Sequence, residues 1–259
     1  MHPLDVLFLG TCAHDYSPLL QTVYKDVFDK DARRSSCALL NGKYLIDCGE
    51  HCLTSLRIAN ADASRITDIF VTHFHSDHFN AENVRKIAQA SNKTLRVWVR
   101  EGAPTLDIPH VKWQYMRQSA TYAVENGVTV TGLPANHDAN AFPQHLLLQI
   151  NGKKIFYALD GAWLLNETYY ALKNANLHCI VLDCTCGDYS GDYRIGEHNS
   201  IPMIRLMLPS LRKWGAIDER TKVLVSHLAP SLHAPHNETS ELLSKEGVLV
   251  AYDGLSLRL

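Results

Sequence analysis

The sequence lacks a long apolar segment at its N-terminus. The apolar run there, from Val6 to Gly10, is too short for a secretory signal or a membrane span, and no basic residues precede it. We therefore expect a cytoplasmic protein that has no membrane partner.

The sequence also lacks an excess of charge of either sign. Its 25 Lys and Arg residues nearly balance 27 Asp and Glu residues, for a formal net charge of −2. Nothing in this balance gives a general affinity for nucleic acid, so we do not expect nucleic acid as a partner. The seven cysteines are odd in number and have no framework spacing, which argues against a disulfide scaffold. Without linkers, repeats or low-complexity stretches, residues 1–259 suit a single domain.

Short apolar runs alternate with helical stretches along the chain. Asn-Gly pairs at 41–42 and 151–152 predict two β-hairpins. Further strands are predicted over 6–9, 69–72, 128–133, 180–182, 223–225 and, as a closing pair around Asp253-Gly254, within 248–257. Helices are predicted after Asn80, over 201–214 and over 238–245. Two successive blocks of hairpins and helices predict an α/β fold with two sheets face to face and helices outside, which is a four-layer αββα sandwich.

Histidine is abundant, with 14 copies, and its grouping is informative. His73, His75, Asp77 and His78 lie within six residues, directly after a buried strand. Neutral imidazole and carboxylate are ligands that suit divalent zinc, manganese or iron. A solvated loop has no structural reason to concentrate these groups, so the segment predicts two neighbouring metal sites with two ligands each.

This His-x-His-x-Asp-His pattern resembles the signature of the metallo-β-lactamase superfamily. The resemblance implies three further ligands, and His137, Asp160 and His227 fill those positions in order, each after an apolar run. Asp160 would bridge the two metals. His145 is an alternative to His137 but lies inside a predicted hairpin. His233 and His236 are alternatives to His227, although only His227 directly follows a strand.

The resemblance implies a hydrolase with two divalent metals, zinc or manganese, with iron also suitable. Such metals lower the pKa of a shared water to give hydroxide, and they polarise the electrophile. That chemistry serves phosphate diesters and also carbonyl compounds such as lactones and thioesters. In this superfamily the aspartate matching Asp47 orients ligand histidines, and Asp183, after another strand, is a second candidate for such a role.

Segments outside the ligand set look like the cyclic phosphodiesterase (PhnP) branch, which is related to tRNase Z. They are Arg33 to Leu40, Tyr44 to Gly49 and Val250 to Gly254. This resemblance implies a small cyclic phosphate ester as substrate and a histidine that protonates the leaving oxygen. His198 falls in the right interval, at a predicted helix start where the dipole lowers imidazole pKa. The alternative is that His198 only caps the helix. Asp77 and His198 are the predicted catalytic residues.

One loop departs from that branch. Residues 11–31 contain Cys12 alone where many members carry a Cys-rich zinc site, so the loop shapes substrate access or a homodimer contact instead. Arg34, His233 and His236 are predicted substrate contacts, although adjacent arginines also suit a solvated turn. The competing functions are a lactonase or thioesterase, tRNA processing, and a non-enzymatic metal-binding protein. Retention of all seven ligands argues against the last.

Overall fold

A computed structural model describes residues 3–91, 93–104, 106–189 and 191–259 of the chain. Met1 and His2, the start of the N-terminal segment considered above, lie outside the described residues. The described strands form two seven-stranded sheets. No helix in the described ranges is long and apolar enough to cross a bilayer.

The first sheet contains the first six strands of the chain and the last one. These strands are β1 (Asp5–Gly10), β2 (Cys37–Leu40), β3 (Tyr44–Ile46), β4 (Asp68–Phe70), β5 (Leu95–Arg100), β6 (Val111–Met116) and β14 (Ser256–Arg258). Their order is β14-β1-β2-β3-β4-β5-β6. The hairpin between β2 and β3 turns at Asn41 and Gly42, whose φ angles of 51° and 63° are the left-handed values that a type I′ turn requires.

The second sheet contains seven consecutive strands of the chain. They are β7 (Thr121–Glu125), β8 (Val128–Pro134), β9 (Gln144–Ile150), β10 (Lys153–Ala158), β11 (Cys179–Asp183), β12 (Lys222–Ser226) and β13 (Val248–Val250). They lie side by side in chain order. Strands β10 to β13 run parallel, so β10, β11 and β12 all end at the same edge of the sheet.

The helices are α1 (Cys52–Ile58), α2 (Ala81–Ala90), α3 (Asn166–Leu172), α4 (Ile201–Lys213) and α5 (His236–Ser244). Asn80 caps α2, because its side chain accepts a hydrogen bond from the backbone N–H of Asn83. Val84 and Ile87 then fall on the buried face at helical spacing. This helix begins where the sequence predicted and directly follows the ligand-rich segment.

Three buried apolar clusters show how the layers pack. One joins inner residues of both sheets, such as Phe8 and Val181. The others pack helices against the outer faces, with Ile204 in one and Ile87 in the other. Two sheets between layers of helices are the predicted αββα sandwich.

The predicted closing strand pair is wrong. Residues Val248–Val250 pair with β12 in the second sheet, whereas Ser256–Arg258 pair with β1 in the first. The Asp253-Gly254 dipeptide is therefore a crossing between sheets. At this crossing the N–H of Gly254 donates to the carbonyl of Phe8 at 2.8 Å.

Candidate metal centre

The predicted ligands all follow strand ends. His73, His75, Asp77 and His78 come after β4, His137 after β8, Asp160 after β10 and His227 after β12. A turn folds the first segment back on itself, since the N–H groups of His78 and Phe79 both donate to the carbonyl of His75 (3.0 and 2.8 Å). The structure thus brings together side chains from four loops.

The six predicted ligands other than Asp160 divide between two of the overlapping groups of donor atoms. One group contains His73, His75 and His137, and the other contains Asp77, His78 and His227. His137 Nε2 lies 3.2 Å from His75 Nδ1, and His78 Nε2 lies 3.2 Å from His227 Nε2. Tetrahedral zinc with bonds of about 2.0–2.1 Å spaces its ligands by about 3.3 Å. Each group therefore has the spacing of a metal position.

Asp160 lies between the two groups. Its Oδ1 is 3.8 Å from His137 Nε2 and 4.0 Å from His73 Nε2. Its Oδ2 is 2.8 Å from His78 Nε2 and 3.1 Å from His227 Nε2. Each carboxylate oxygen thus faces a different group, which is the geometry of a carboxylate that bridges two cations.

A buried nitrogen without a hydrogen-bond partner also indicates that these residues suit divalent metals. His73 Nε2 is buried and has no hydrogen-bond partner among the described residues. Buried polar atoms without a partner are rare and need an explanation, and a bound cation supplies one. The imidazole and carboxylate donors suit zinc, manganese or iron.

Protonation of the ligands depends on their neighbours. Burial holds the pKa of His73 well below its usual value, and the positive charge of His78 acts in the same direction. Burial also acts to lower the pKa of His227, but the carboxylates of Asp160, Asp183 and Asp77 outweigh it and raise the pKa to about 10. His227 is therefore protonated in the metal-free protein, and metal binding must release that proton.

Asp47 lies directly behind His78. Its Oδ2 is 2.7 Å from His78 Nδ1, and its Oδ1 accepts a hydrogen bond from the Thr72 N–H at 2.7 Å. Asp47 adopts a left-handed φ of 62°, which a non-glycine residue keeps only where its surroundings determine it. The contact fixes the His78 ring so that Nε2 faces Asp160.

Replacing Asp47 by asparagine should lower metal affinity about 10- to 100-fold, because partners of this kind orient the ligand and raise its basicity. Competition with a chromophoric chelator would measure the change. Asp62→Asn is the matched control, because Asp62 caps an exposed 3-10 turn at Ser64. Equal affinity in Asp47→Asn and wild type would contradict the role assigned to Asp47.

Asp183 holds His198 at the same edge of the second sheet. Asp183 Oδ2 lies 2.9 Å from His198 Nδ1 and 3.3 Å from His227 Nδ1. Its Oδ1 accepts the backbone N–H of Asn199 at 2.9 Å. His198 lies in the loop before α4, where Ser200 takes the N-cap position, so the capping alternative does not describe its side chain.

The expected lowering of the His198 pKa by the helix dipole is wrong. Burial does act to lower the pKa, but the carboxylates of Asp183 and Asp160 outweigh it and leave the pKa above its usual value. A proton on His198 is therefore stabilised by its direct neighbours.

An open cavity of about 960 Å³ lies over the ligands. Its described lining consists of Ala13, His14, Asp15, His75, Ser76, Asp77, His137, Asp160, Thr185, Tyr193, Arg194, Gly196, Glu197, His198 and His227. The cavity is of the size that binds small molecules, which is about 300–1,000 Å³. The ligand set is thus accessible to a small substrate.

The predicted substrate contacts Arg34, His233 and His236 lie outside that described lining. Arg34 is buried beside Asp253, whose Oδ2 accepts the Arg34 N–H at 2.7 Å. His233 Nε2 lies 2.6 Å from the carbonyl of Cys184, and His236 Nδ1 lies 3.1 Å from Arg33 Nη2. These side chains join loops to one another, so the structure gives them a structural role in place of the predicted one.

Sequence reasoning missed several residues around the ligands. Thr185 Oγ1 lies 2.8 Å from His227 Nδ1, and His75 Nε2 lies 3.4 Å from Asp138 Oδ2. Thr72 lies between Asp47 and the rings of His73 and His78. Asp138 follows His137 directly, and this adjacency was a usable signal. Nothing in the sequence marks Thr72 or Thr185 as a neighbour of the ligands.

Comparison with known proteins identifies the superfamily of this chain. A family model described as a β-lactamase superfamily domain matches residues 43–202. Human zinc phosphodiesterase ELAC protein 1 is 39% identical over 79 residues, which are 29% of this chain and 18% of the human protein. The match thus spans less than a fifth of that relative's length.

Solved structures share the fold over nearly their whole length. A diphosphatase from the PhnP family has a TM-score of 0.77 at 16% identity and covers 100% of this chain and 98% of its own. The short form of human tRNase Z has a TM-score of 0.68 at 20% identity and covers 98% of both chains. At these identities the likeness shows the metallo-β-lactamase fold alone. The family model, however, covers more than half of the chain, and by that match the protein belongs to the β-lactamase superfamily.

Proposed function

We propose that the protein hydrolyses small phosphate diesters, with cyclic diesters as the leading substrate class. One observation carries the proposal. His198, held by Asp183 at 2.9 Å, lines the same cavity as Asp160 and the ligand histidines. A diester needs a proton on its departing oxygen, and His198 is a histidine placed beside the metal ligands to supply one.

Two divalent metals, zinc or manganese in our proposal and iron as a third choice, would supply an activated water and polarise the phosphoryl group when bound. His73, His75 and His137 would hold one of them, and Asp77, His78 and His227 the other. Asp160 would serve both. These roles follow from the two groups of donor atoms and the carboxylate between them.

His198 would donate its proton from Nε2. Its Nδ1 faces Asp183 Oδ2 at 2.9 Å and Thr185 Oγ1 at 3.1 Å, so Nε2 is the nitrogen left for a substrate. As the phosphorus–oxygen bond to the departing group breaks, the Nε2 proton passes to that oxygen, and Asp183 stabilises the ring in the required orientation.

Asp77 has a carboxylate oxygen available for a second proton transfer. Its Oδ2 lies among the ligands, 3.3 Å from His78 Nε2 and 3.5 Å from His227 Nε2. Its Oδ1 is directed away from them, toward His14 at 3.9 Å. We assign to Asp77 the acceptance of a proton from the attacking water.

The direct test uses metal-free protein reconstituted with zinc, manganese or iron. We expect cleavage of bis(p-nitrophenyl) phosphate and of cyclic nucleotides. Cleavage of lactones or thioesters in the absence of any diester cleavage would overturn the proposal and favour the carbonyl ester hydrolase. Bound metal without hydrolysis of any ester would support the non-enzymatic alternative.

A His198→Ala variant should lose diester cleavage by about 10²- to 10⁴-fold while it keeps its metals. The loss should be larger for an alkyl leaving group than for p-nitrophenolate, because a poor leaving group depends more on the added proton. His178→Ala is the control, since His178 lies before β11, at the opposite edge of the sheet. Unchanged turnover of alkyl diesters in His198→Ala would remove this residue from the mechanism.

A further inference from the structure

His14 reaches the cavity from a loop that is fixed on both sides. Before it, the N–H groups of Cys12 and Ala13 donate to the carbonyls of Arg34 (2.8 Å) and Leu228 (3.1 Å). After it, Asp15 Oδ2 accepts the N–H of Ser231 at 3.0 Å. Leu228 directly follows the ligand His227, so the loop is tied to the metal centre.

The backbone of His14 is held in a strained conformation. Its φ of 54° is left-handed, a region that histidine visits more often than most residues but still at a cost. Such strain persists where the surroundings impose it, and it concentrates at functional sites. Here the fixed neighbours impose it, and the imidazole is presented in the cavity lining.

The imidazole of His14 lies beside the Asp77 carboxylate. Its Nδ1 is 3.9 Å from Asp77 Oδ1 and 3.8 Å from Glu50 Oε1. The hydroxyl of Tyr16 lies 3.5 Å from the same nitrogen, and the Tyr16 ring packs edge-on against His51. Nε2 has no hydrogen-bond partner among the described residues, and the side chain is 58% exposed. That nitrogen is free for a ligand in the cavity.

The charge around His14 indicates what kind of ligand group belongs there. Carboxylates of Glu50 and Asp77 lie 3.8 and 3.9 Å from its Nδ1, and Asp15 lines the same cavity. Arg194 is the one Lys or Arg of the described lining, and its Nε and Nη2 are already paired with Asp192 at 2.8 and 2.9 Å. A second anionic group would therefore meet the Glu50 carboxylate and, within the described lining, no Lys or Arg other than this paired Arg194, whereas a neutral hydroxyl needs no countercharge.

We propose that His14 is a specificity-determining residue that hydrogen-bonds, through Nε2, to a neutral hydroxyl on the substituent of the substrate. The substrate class is then a phosphate diester with an uncharged, hydroxylated substituent such as an unphosphorylated sugar. This inference rests on the proposed diesterase function. It does not follow from that function, because the metal centre alone would accept either kind of substituent.

The test compares two ribonucleoside cyclic phosphates on the metal-loaded protein. One has a free primary hydroxyl, and in the other this hydroxyl is phosphorylated. We expect wild type to prefer the first in kcat/KM, and we expect His14→Asn to reduce that preference about tenfold, as for the loss of one hydrogen bond. Asparagine tolerates the left-handed backbone, so the loop should keep its shape.

His110→Asn is the matched control. His110 also has a left-handed φ, of 63°, but is exposed and lies outside the described cavity lining. The preference should be unchanged in this variant. A wild-type preference for the phosphorylated substrate, or an equal preference in His14→Asn and wild type, would overturn the inference. Cleavage of bis(p-nitrophenyl) phosphate distinguishes failure of this inference from failure of the proposed function. A wild-type protein that does not cleave it lacks the proposed function itself.

Discussion

Asp160→Ala should remove both metals at once and reduce hydrolysis by on the order of 10³-fold or more, since the metals stabilise the transition state by several kcal/mol. The reason is geometric, because the two oxygens of Asp160 face different groups of ligands. His73→Ala and His227→Ala each remove a ligand from just one of the two groups described above. Metal analysis of dialysed protein should therefore show a larger loss for Asp160→Ala than for either histidine variant.

Folding must be separated from metal loss in this experiment. Asp160→Asn keeps the shape of the side chain, and circular dichroism would report whether either variant folds. Asp62→Asn, at an exposed cap, should retain full metal content. If Asp160→Ala kept both metals, Asp160 would not be their shared ligand.

Gly49→Ala should lower the melting temperature by about 2–12 °C and weaken metal binding. A Cβ at this position would lie 1.8 Å from the carbonyl oxygen of Asp77, so the backbone of the ligand segment would have to move. The two segments are tightly paired there, since the Cys48 N–H donates to the carbonyl of His78 at 2.8 Å. Overpacking costs about 1–3 kcal/mol and sometimes more, and a chain of this size loses about 2–4 °C per kcal/mol.

Gly196→Ala provides the control for stability. It introduces the same methyl group, but among the described residues no atom beyond its own chain neighbours lies within 4 Å of the new Cβ, and its φ is not left-handed. Its melting temperature, measured by differential scanning calorimetry, should equal that of wild type. A wild-type melting temperature and metal affinity in Gly49→Ala would show that the packing between residues 48–49 and 77–78 is unimportant.

Local sequence patterns were sufficient to predict the strand ends that carry the ligands. Each ligand segment follows an apolar run, and the two Asn-Gly turns specify hairpins by their left-handed backbone. The histidine cluster is a local signal too, so its position after β4 could be predicted. The structure places these side chains around Asp160 as a pair of metal positions would require.

Features that depend on tertiary contacts could not be predicted from local sequence patterns. The sequence around Asp253 and Gly254 has the composition of a hairpin turn, and only the pairing of β14 with β1 shows that the chain changes sheets. Strand β6 is half-exposed and has no clear alternation of apolar residues. Thr72 and Thr185 act through partners far away in sequence.

Arg34 shows the same limit for a charged residue. Adjacent arginines suggested a substrate contact or a solvated turn, yet both Arg33 and Arg34 are buried. Arg33 Nη1 donates to Thr11 Oγ1 at 2.7 Å and to the carbonyl of Ala251 at 2.6 Å. Ala251 and Asp253, which bind Arg33 and Arg34, are more than 200 residues away in sequence and therefore outside any local pattern.

The pairing of β1 with β14 bears on how the protein is made. Val6 is synthesised 251 residues before its partner Leu257. Contacts between such distant residues form late, because the intervening chain must first be brought together. During translation the outer edge of β1 therefore stays unpaired while the second sheet is still being synthesised. An unpaired strand edge is a template for aggregation, so we expect the nascent chain to depend on chaperone protection until residue 258 emerges.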